Sequence, residues 1–176
     1  DKVDSVKPTF TISYNPIIPT WNNTGTEVSI TCIDPLSWCD MYGISDWDIS
    51  WNIYKRTFTA NTSGNIIIRD KSTAKNIETV NYNVTNIDTD IPNWTISYTN
   101  TWTNNINQSV TFTTSDTWGS WVDNYSLEMR LSTNSPAFTT WSPWSSVSTT
   151  SSPYNYTWVN ETAYQYRLVV NDVAGN

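Results

Sequence analysis

Residues 86 to 98 read N-I-D-T-D-I-P-N-W-T-I-S-Y, and they interrupt the chain. An alternating apolar strand through Val80, Tyr82 and Val84 runs into them, and a second one starts at Trp94, Ile96 and Tyr98. Between the two, Asp88, Asp90 and Pro92 break the pattern. Proline has no N–H to donate and restricts the residue before it, so a strand pair cannot continue through this point. The stretch therefore reads as a junction between domains. It also recurs: Val3, Asp4, Ser5, Pro8, Phe10, Thr11, Ile12, Ser13 and Tyr14 correspond to Ile87, Asp88, Thr89, Pro92, Trp94, Thr95, Ile96, Ser97 and Tyr98 at a constant offset of 84. A fixed offset over a dozen positions marks an internal repeat.

A period of that length divides the 176 residues into two small domains, 1–90 with an N-terminal linker remnant and 91–176. Domains of this size bury only about 60–65% of the surface their unfolded chains expose. The 11 Trp and 10 Tyr can offset so lean a core, because each aromatic side chain buries about 150–250 Å². Charged residues make up only 14%, and the net charge is −7. That balance argues against nucleic acid and anionic membranes as partners. No apolar run reaches the roughly 20 residues of a membrane helix.

Histidine is absent, which removes Ser-His-Asp and Cys-His catalysis and histidine-based zinc sites together. Two cysteines cannot build a four-thiolate zinc site. Gly25, Gly43, Gly64, Gly119 and Gly175 are too scattered to form a phosphate-cradling loop. Carboxylate pairs remain available, but most sit at expected turns. The expectation is that the chain is not an enzyme.

Strand signals follow one another at sandwich spacing. Phe10, Ile12 and Tyr14 alternate first, then Val28, Ile30 and Cys32. Residues 34–46 read as a loop. Trp47, Ile49, Trp51 and Ile53 alternate against Asp48, Ser50 and Asn52 as one strand. Short strands at Thr57–Thr59 and Ile66–Ile68, a turn at Asp70–Asn76, and the Val80–Val84 strand complete the first unit. In the second half Val110, Phe112 and Thr114 repeat the Val28 strand, and Asp116 stands for Asp34. Strands through Tyr125–Leu131, Tyr154–Trp158 and Tyr164–Val170 follow, and D-V-A-G-N at 172–176 matches the Asp70–Asn76 turn. A final strand follows that turn in the first unit, so the second is expected to lack its last strand. Either the continuation of an array or a strand from another molecule would supply it.

The Asp…Ala-Gly-Asn turn, the I-D-T-D-I-P junction and the Y-Q-Y-R-L-V-V run at 164–170 together resemble bacterial Ig-like and fibronectin type III-like repeats. The resemblance implies two tandem antiparallel β-sandwiches joined by a short acidic, proline-containing linker. It also implies a tandem array on a cell-surface or secreted protein, and a corner role for Tyr164 with its hydroxyl on nearby backbone. Ala74-Lys75-Asn76 departs from the Ala-Gly-Asn pattern. The function expected is an extracellular stalk, adhesin or filament segment, whose partners are neighbouring repeats or other copies. The alternative is a glycan- or protein-binding module working through Trp-rich loops, for instance beside a secreted hydrolase.

Four groups of residues are candidates for chemistry. Cys32 and Cys39 are expected to form a local disulfide; two free thiols are the alternative. Trp141-Ser142-Pro143-Trp144-Ser145 matches the W-S-x-W-S signature of class I cytokine receptors in its letters. It precedes the Tyr164–Arg167 strand instead of following it, and so carries no such assignment. Trp141 and Trp144, with Trp118 and Trp121, read either as hairpin cover or as a platform for a sugar ring. Asp88 and Asp90 at the junction, with the Asp70 and Asp116 turns and Asp4 as the counterpart of Asp88, offer oxygens to calcium. The alternative reading is solvated turn residues, since Asp is common in turns for its own backbone hydrogen bonding. Eight Asn-x-Ser/Thr sequons exceed chance too slightly to be informative. Lys7, Lys55, Lys71 and Lys75 lie on no apolar strand face, which disfavours a Lys–Asn crosslink.

Overall fold

In a computed structural model the chain is all-β, with described residues 4–41, 45–98, 107–117, 119–148 and 151–176. It forms two compact units, Asp1–Thr89 and Asp90–Asn176. The first contains β1 (Thr9–Asn15), β2 (Thr26–Ile33), β3 (Cys39–Met41), β4 (Asp48–Ser50), β5 (Ile53–Phe58), β6 (Thr62–Asp70) and β7 (Ile77–Val84). Its sheets run in the orders β1-β2-β5-β4 and β3-β6-β7, with antiparallel pairing throughout.

Alternation on β2 decides which face closes the core. Thr26, Val28, Ile30 and Cys32 point inward and are fully buried. Ile66 and Ile68 of β6 and Val80 and Val84 of β7 complete the same cluster. Each such aliphatic side chain contributes about 1.5–3 kcal/mol on burial. Trp47 closes one end, edge-on to Tyr82 and Phe58 at 5.7 and 6.2 Å.

The single strand expected over Trp47–Ile53 is instead a hairpin. Trp47 is buried, but Trp51 sits at φ +58° between β4 and β5, where Ser50 pairs with Ile53. A positive φ at the first position of a two-residue hairpin loop belongs to a II′-type turn, normally glycine's place. For tryptophan it costs on the order of 1–3 kcal/mol. Asn52 holds the loop: its Nδ2 donates to Cys32 O, and Cys32 N donates to Asn52 O, both at 2.9 Å. The alternation of apolar residues hides this reversal. Similarly, the loop expected over 34–46 contains the short strand β3.

The start of the junction is built into the first unit. Asn86 and Ile87 are buried. Asn86 Nδ2 donates to Thr20 O at 2.7 Å, and its Oδ1 accepts from Thr26 Oγ1 at 2.9 Å. Asn61 brackets Ile87, accepting from its N at 2.8 Å and donating to its O at 2.9 Å. Asn61 and Asn86 thus satisfy backbone groups of Ile87 and Thr20 that no sheet reaches.

The second unit contains β8 (Asn93–Tyr98), β9 (Asn107–Ser115), β10 (Val122–Ser132), β11 (Ser145–Ser146), β12 (Tyr154–Thr157) and β13 (Ala163–Asp172). Its sheets are β12-β9-β8 and β11-β10-β13, again antiparallel. Val110, Phe112, Leu127, Tyr164, Tyr166 and Leu168 form the core. Tyr164 stacks on Trp158 at 5.5 Å, and its hydroxyl accepts from Val159 N at 3.2 Å. No strand pairs with the outer side of β13 among the described residues.

Candidate functional site

Three carboxylates converge in the first unit, each held by its own backbone turn. Asp4, ahead of β1, accepts Val6 N on Oδ1 at 2.9 Å. Asp34 stops β2, accepting Leu36 N and Ser37 N on Oδ1 at 2.9 and 2.8 Å. Asp70 ends β6, where Oδ1 accepts Ser72 Oγ and Asn76 N at 2.7 and 3.0 Å, and Oδ2 accepts Asn76 Nδ2 at 2.6 Å. Asn76 Nδ2 also donates to Asp4 O and Val6 O at 3.0 and 3.1 Å, tying the incoming segment to the β6–β7 turn.

One carboxylate oxygen from each of Asp4, Asp34 and Asp70 lies within 4.8 Å of the other two. Asp70 is buried, while Asp4 and Asp34 are partly buried. Burial opposes ionisation of Asp70, but hydrogen bonds from Ser72 and Asn76 outweigh it and hold the carboxyl below its ordinary range. Asp4 Oδ2 and Asp34 Oδ2 are buried without a hydrogen-bond partner. None of the ion pairs between described residues reaches the three acids. Like charges at that spacing repel by about 3 kcal/mol per pair at an effective dielectric constant near 20. A divalent cation would relieve both the repulsion and the unfilled oxygens, and calcium takes all-oxygen sites of this kind.

Of the four acids expected to bind calcium, Asp70 therefore lies in the cluster, beside Asp4 and Asp34. Asp88 is pinned to the first unit by its N–H, which donates to Asn22 O at 2.9 Å. Asp90 is exposed at the start of the second unit, and Asp116 follows β9 there. The repeat relates Asp4, Asp34 and Asp70 in sequence to Asp88, Asp116 and Asp172.

Asp172 repeats the clasp of Asp70, accepting Gly175 N and Asn176 N on Oδ1 at 2.7 and 2.8 Å and Asn176 Nδ2 on Oδ2 at 2.9 Å. Its burial raises the carboxyl pKa, but the bonds from Asn176, Gly175 and Ser120 bring it below the usual value. Lys75 at φ +50° and Gly175 at φ +91° occupy the same left-handed position before the clasping asparagine. The departure from Ala-Gly-Asn in the first unit thus leaves this feature of the turn intact.

Cys32 and Cys39 form a disulfide with a Cα–Cα distance of 6.2 Å. It closes the loop that carries Asp34 and Trp38. Closure of a loop this short contributes about 2 kcal/mol.

The W-S-P-W-S segment stacks on arginines. The Arg130 guanidinium lies 5.2 Å from the Trp141 ring centre and 4.7 Å from that of Trp144. The Arg167 guanidinium lies 4.6 Å from Trp144, and Arg167 also pairs with Glu128. Trp141 and Trp144 are half-buried with guanidinium groups against their rings, an arrangement that stiffens the β10–β11 corner. Trp121 is exposed, and Trp118 lies outside the described residues.

A second pair of tryptophans escaped the sequence reading. Trp38 and Trp51 are both exposed, with ring centres 6.3 Å apart. The turn at Trp51 was hidden by alternation, and nothing local marks Trp38 as its neighbour.

No protein-family model matches the chain, and no curated protein matches it. No helix among the described residues is long and apolar enough to cross a membrane.

Proposed function

We propose that this chain is a pair of Ig-like, fibronectin type III-like repeats from a non-enzymatic stalk, adhesin or filament of the cell exterior. In this reading the Asp4–Asp34–Asp70 cluster binds calcium and fastens the incoming linker to the body of its repeat. The observation that carries it is the convergence of those three acids with two buried carboxylate oxygens lacking hydrogen bonds.

Three further features support it. The first unit's strand order, β1-β2-β5-β4 against β3-β6-β7, matches the ABED and CFG sheets of constant-type Ig domains. The Tyr164 hydroxyl accepts a backbone N–H five residues upstream, as a tyrosine corner does. The disulfide suits an oxidising compartment. In a stalk, tension arrives along the linker. The Asn76 bonds to Asp4 and Val6, reinforced by a cation on Asp4, would pass that tension to β2 and β6 rather than peel β1 away.

Single-molecule pulling on a concatemer of the whole chain tests this. Each copy should give two unfolding events, each releasing roughly 25–30 nm of contour for some 85 residues at about 3.3–3.6 Å each. Calcium should raise the force of one or both. A single event per copy, or forces identical in calcium and chelator, would contradict the proposal.

A further inference from the structure

We propose that the cleft beside the Cys32–Cys39 loop is a binding subsite for a neutral saccharide, with Trp38 and Trp51 as its stacking surfaces. A cavity of about 500 Å³ opens there, lined by Leu36, Ser37, Trp38, Trp51 and Asn52 beside the disulfide. Trp38 and Trp51 stand at its rim, 68% and 82% exposed, with their ring planes inclined at 42°. Two large rings side by side and this open form a contiguous apolar patch of the kind found at ligand-binding grooves.

The backbone that carries both rings is held in place before any ligand arrives. Trp51 is fixed in its left-handed turn by the two hydrogen bonds between Asn52 and Cys32. Trp38 is held by the adjacent disulfide at Cys39 and by its carbonyl, which accepts Lys71 N at 2.7 Å. Both walls therefore converge on the end of β2. Preorganisation of this kind lowers the ordering cost of binding.

The chemistry of the lining selects the ligand class. Among the described residues, the cavity lining contains no Lys or Arg, and its carboxylate, Asp34, belongs to the acidic cluster. Ser37 and Asn52 put polar residues in the lining beside the two rings, which a purely apolar ligand would not match. A pyranose ring meets both demands. Its C–H face carries partial positive charge against the negative face of an indole, and its hydroxyls suit the exposed Asn52 amide in the lining. Trp121, Trp141 and Trp144 belong to the second unit and are not among the lining residues.

The test is a calorimetric and fluorescence titration of the whole chain, calcium present, with cellohexaose, maltohexaose, chitohexaose and mannohexaose, and a proline-rich peptide as control. At least one hexasaccharide should bind and shift the tryptophan emission. Trp38→Ala and Trp51→Ala should each weaken that binding by about tenfold or more. Trp51→Phe should retain most of the affinity, and Trp144→Ala should bind as the parent does. In the unmutated protein, the bound sugar should protect two tryptophans from oxidation by N-bromosuccinimide, a readout independent of how any variant folds. The proposal is overturned if no hexasaccharide binds, if binding survives both alanine variants unchanged, if no tryptophan is protected, or if only the proline-rich peptide binds.

Discussion

Asn86 stabilises the first unit by pairing at long range. Its amide satisfies Thr20 O and Thr26 Oγ1, which lie 66 and 60 residues away in sequence. Its carbonyl accepts Asn22 N at 3.0 Å. Asn86→Ala leaves the part-buried Thr20 carbonyl without this donor and the buried Thr26 hydroxyl without its acceptor, each worth about 1–3 kcal/mol. We expect the first unit to lose roughly 2–4 kcal/mol, read as a lower urea midpoint at unchanged slope, while the second unit keeps its own transition. A variant as stable as the parent would show that these bonds are dispensable. Nothing in the sequence separates Asn86 from the turn asparagines around it, because its role lies in partners that only the fold brings near. Asp70 was more legible, since an acid ending a strand before a Ser/Thr/Asn-rich turn has few ways to be satisfied. Its neighbours Asp4 and Asp34 entered the reading only as repeat counterparts of Asp88 and Asp116.

Among the elements, β2, β6, β7, β9 and β13 were plain in the sequence, because alternating or continuous apolar runs have one sensible face. Trp47–Ile53 was misleading for the same reason. Alternation survives a two-residue hairpin loop, so the pattern alone cannot distinguish a strand from a reversal. Only the φ of +58° at Trp51, which a tryptophan rarely adopts, gives the turn away. The sequence left the W-S-P-W-S segment open between hairpin cover and sugar platform, and the arginines that stack on it come from β10 and β13 and were invisible locally. The Cys32–Cys39 bridge gives the element scale its test. The double substitution Cys32→Ser, Cys39→Ser should cost the first unit about 2 kcal/mol. It should also loosen the Trp38 loop, visible as faster amide exchange from Asp34 to Trp38. Unchanged exchange there would mean that the Asp34 turn and the Lys71–Trp38 bond hold the loop unaided.

For the molecule as a whole, the 84-residue repeat of the junction was the strongest sequence signal, and the order of strands after it matched the turns of Asp70 and Asp172, 102 residues apart, before any geometry was known. The two units differ in how they should fail with pH. Burial, followed by the neighbouring Tyr164, raises Tyr156 to about 12, and burial raises Tyr166 as well. Their phenols titrate near 10 when unfolded. Stability from keeping them neutral is therefore complete below about pH 10 and is lost as pH climbs towards 12, at no more than about 1.4 kcal/mol per pH unit for each. The second unit should melt first in alkali, with phenolate absorbance appearing together with unfolding; gradual ionisation of a folded unit would contradict this. Fastening of the linker by calcium depends on the carboxylate cluster at the head of the first unit. The direct measurement is a calorimetric melt of the intact chain in excess calcium and in chelator, repeated for Asp34→Asn. With the affinity usual for extracellular calcium modules, a few millimolar ion adds about 1–2 kcal/mol. The first unit's transition should then rise by roughly 5–10 °C, and Asp34→Asn should abolish most of that rise. A first-unit transition that does not move between calcium and chelator would contradict the account.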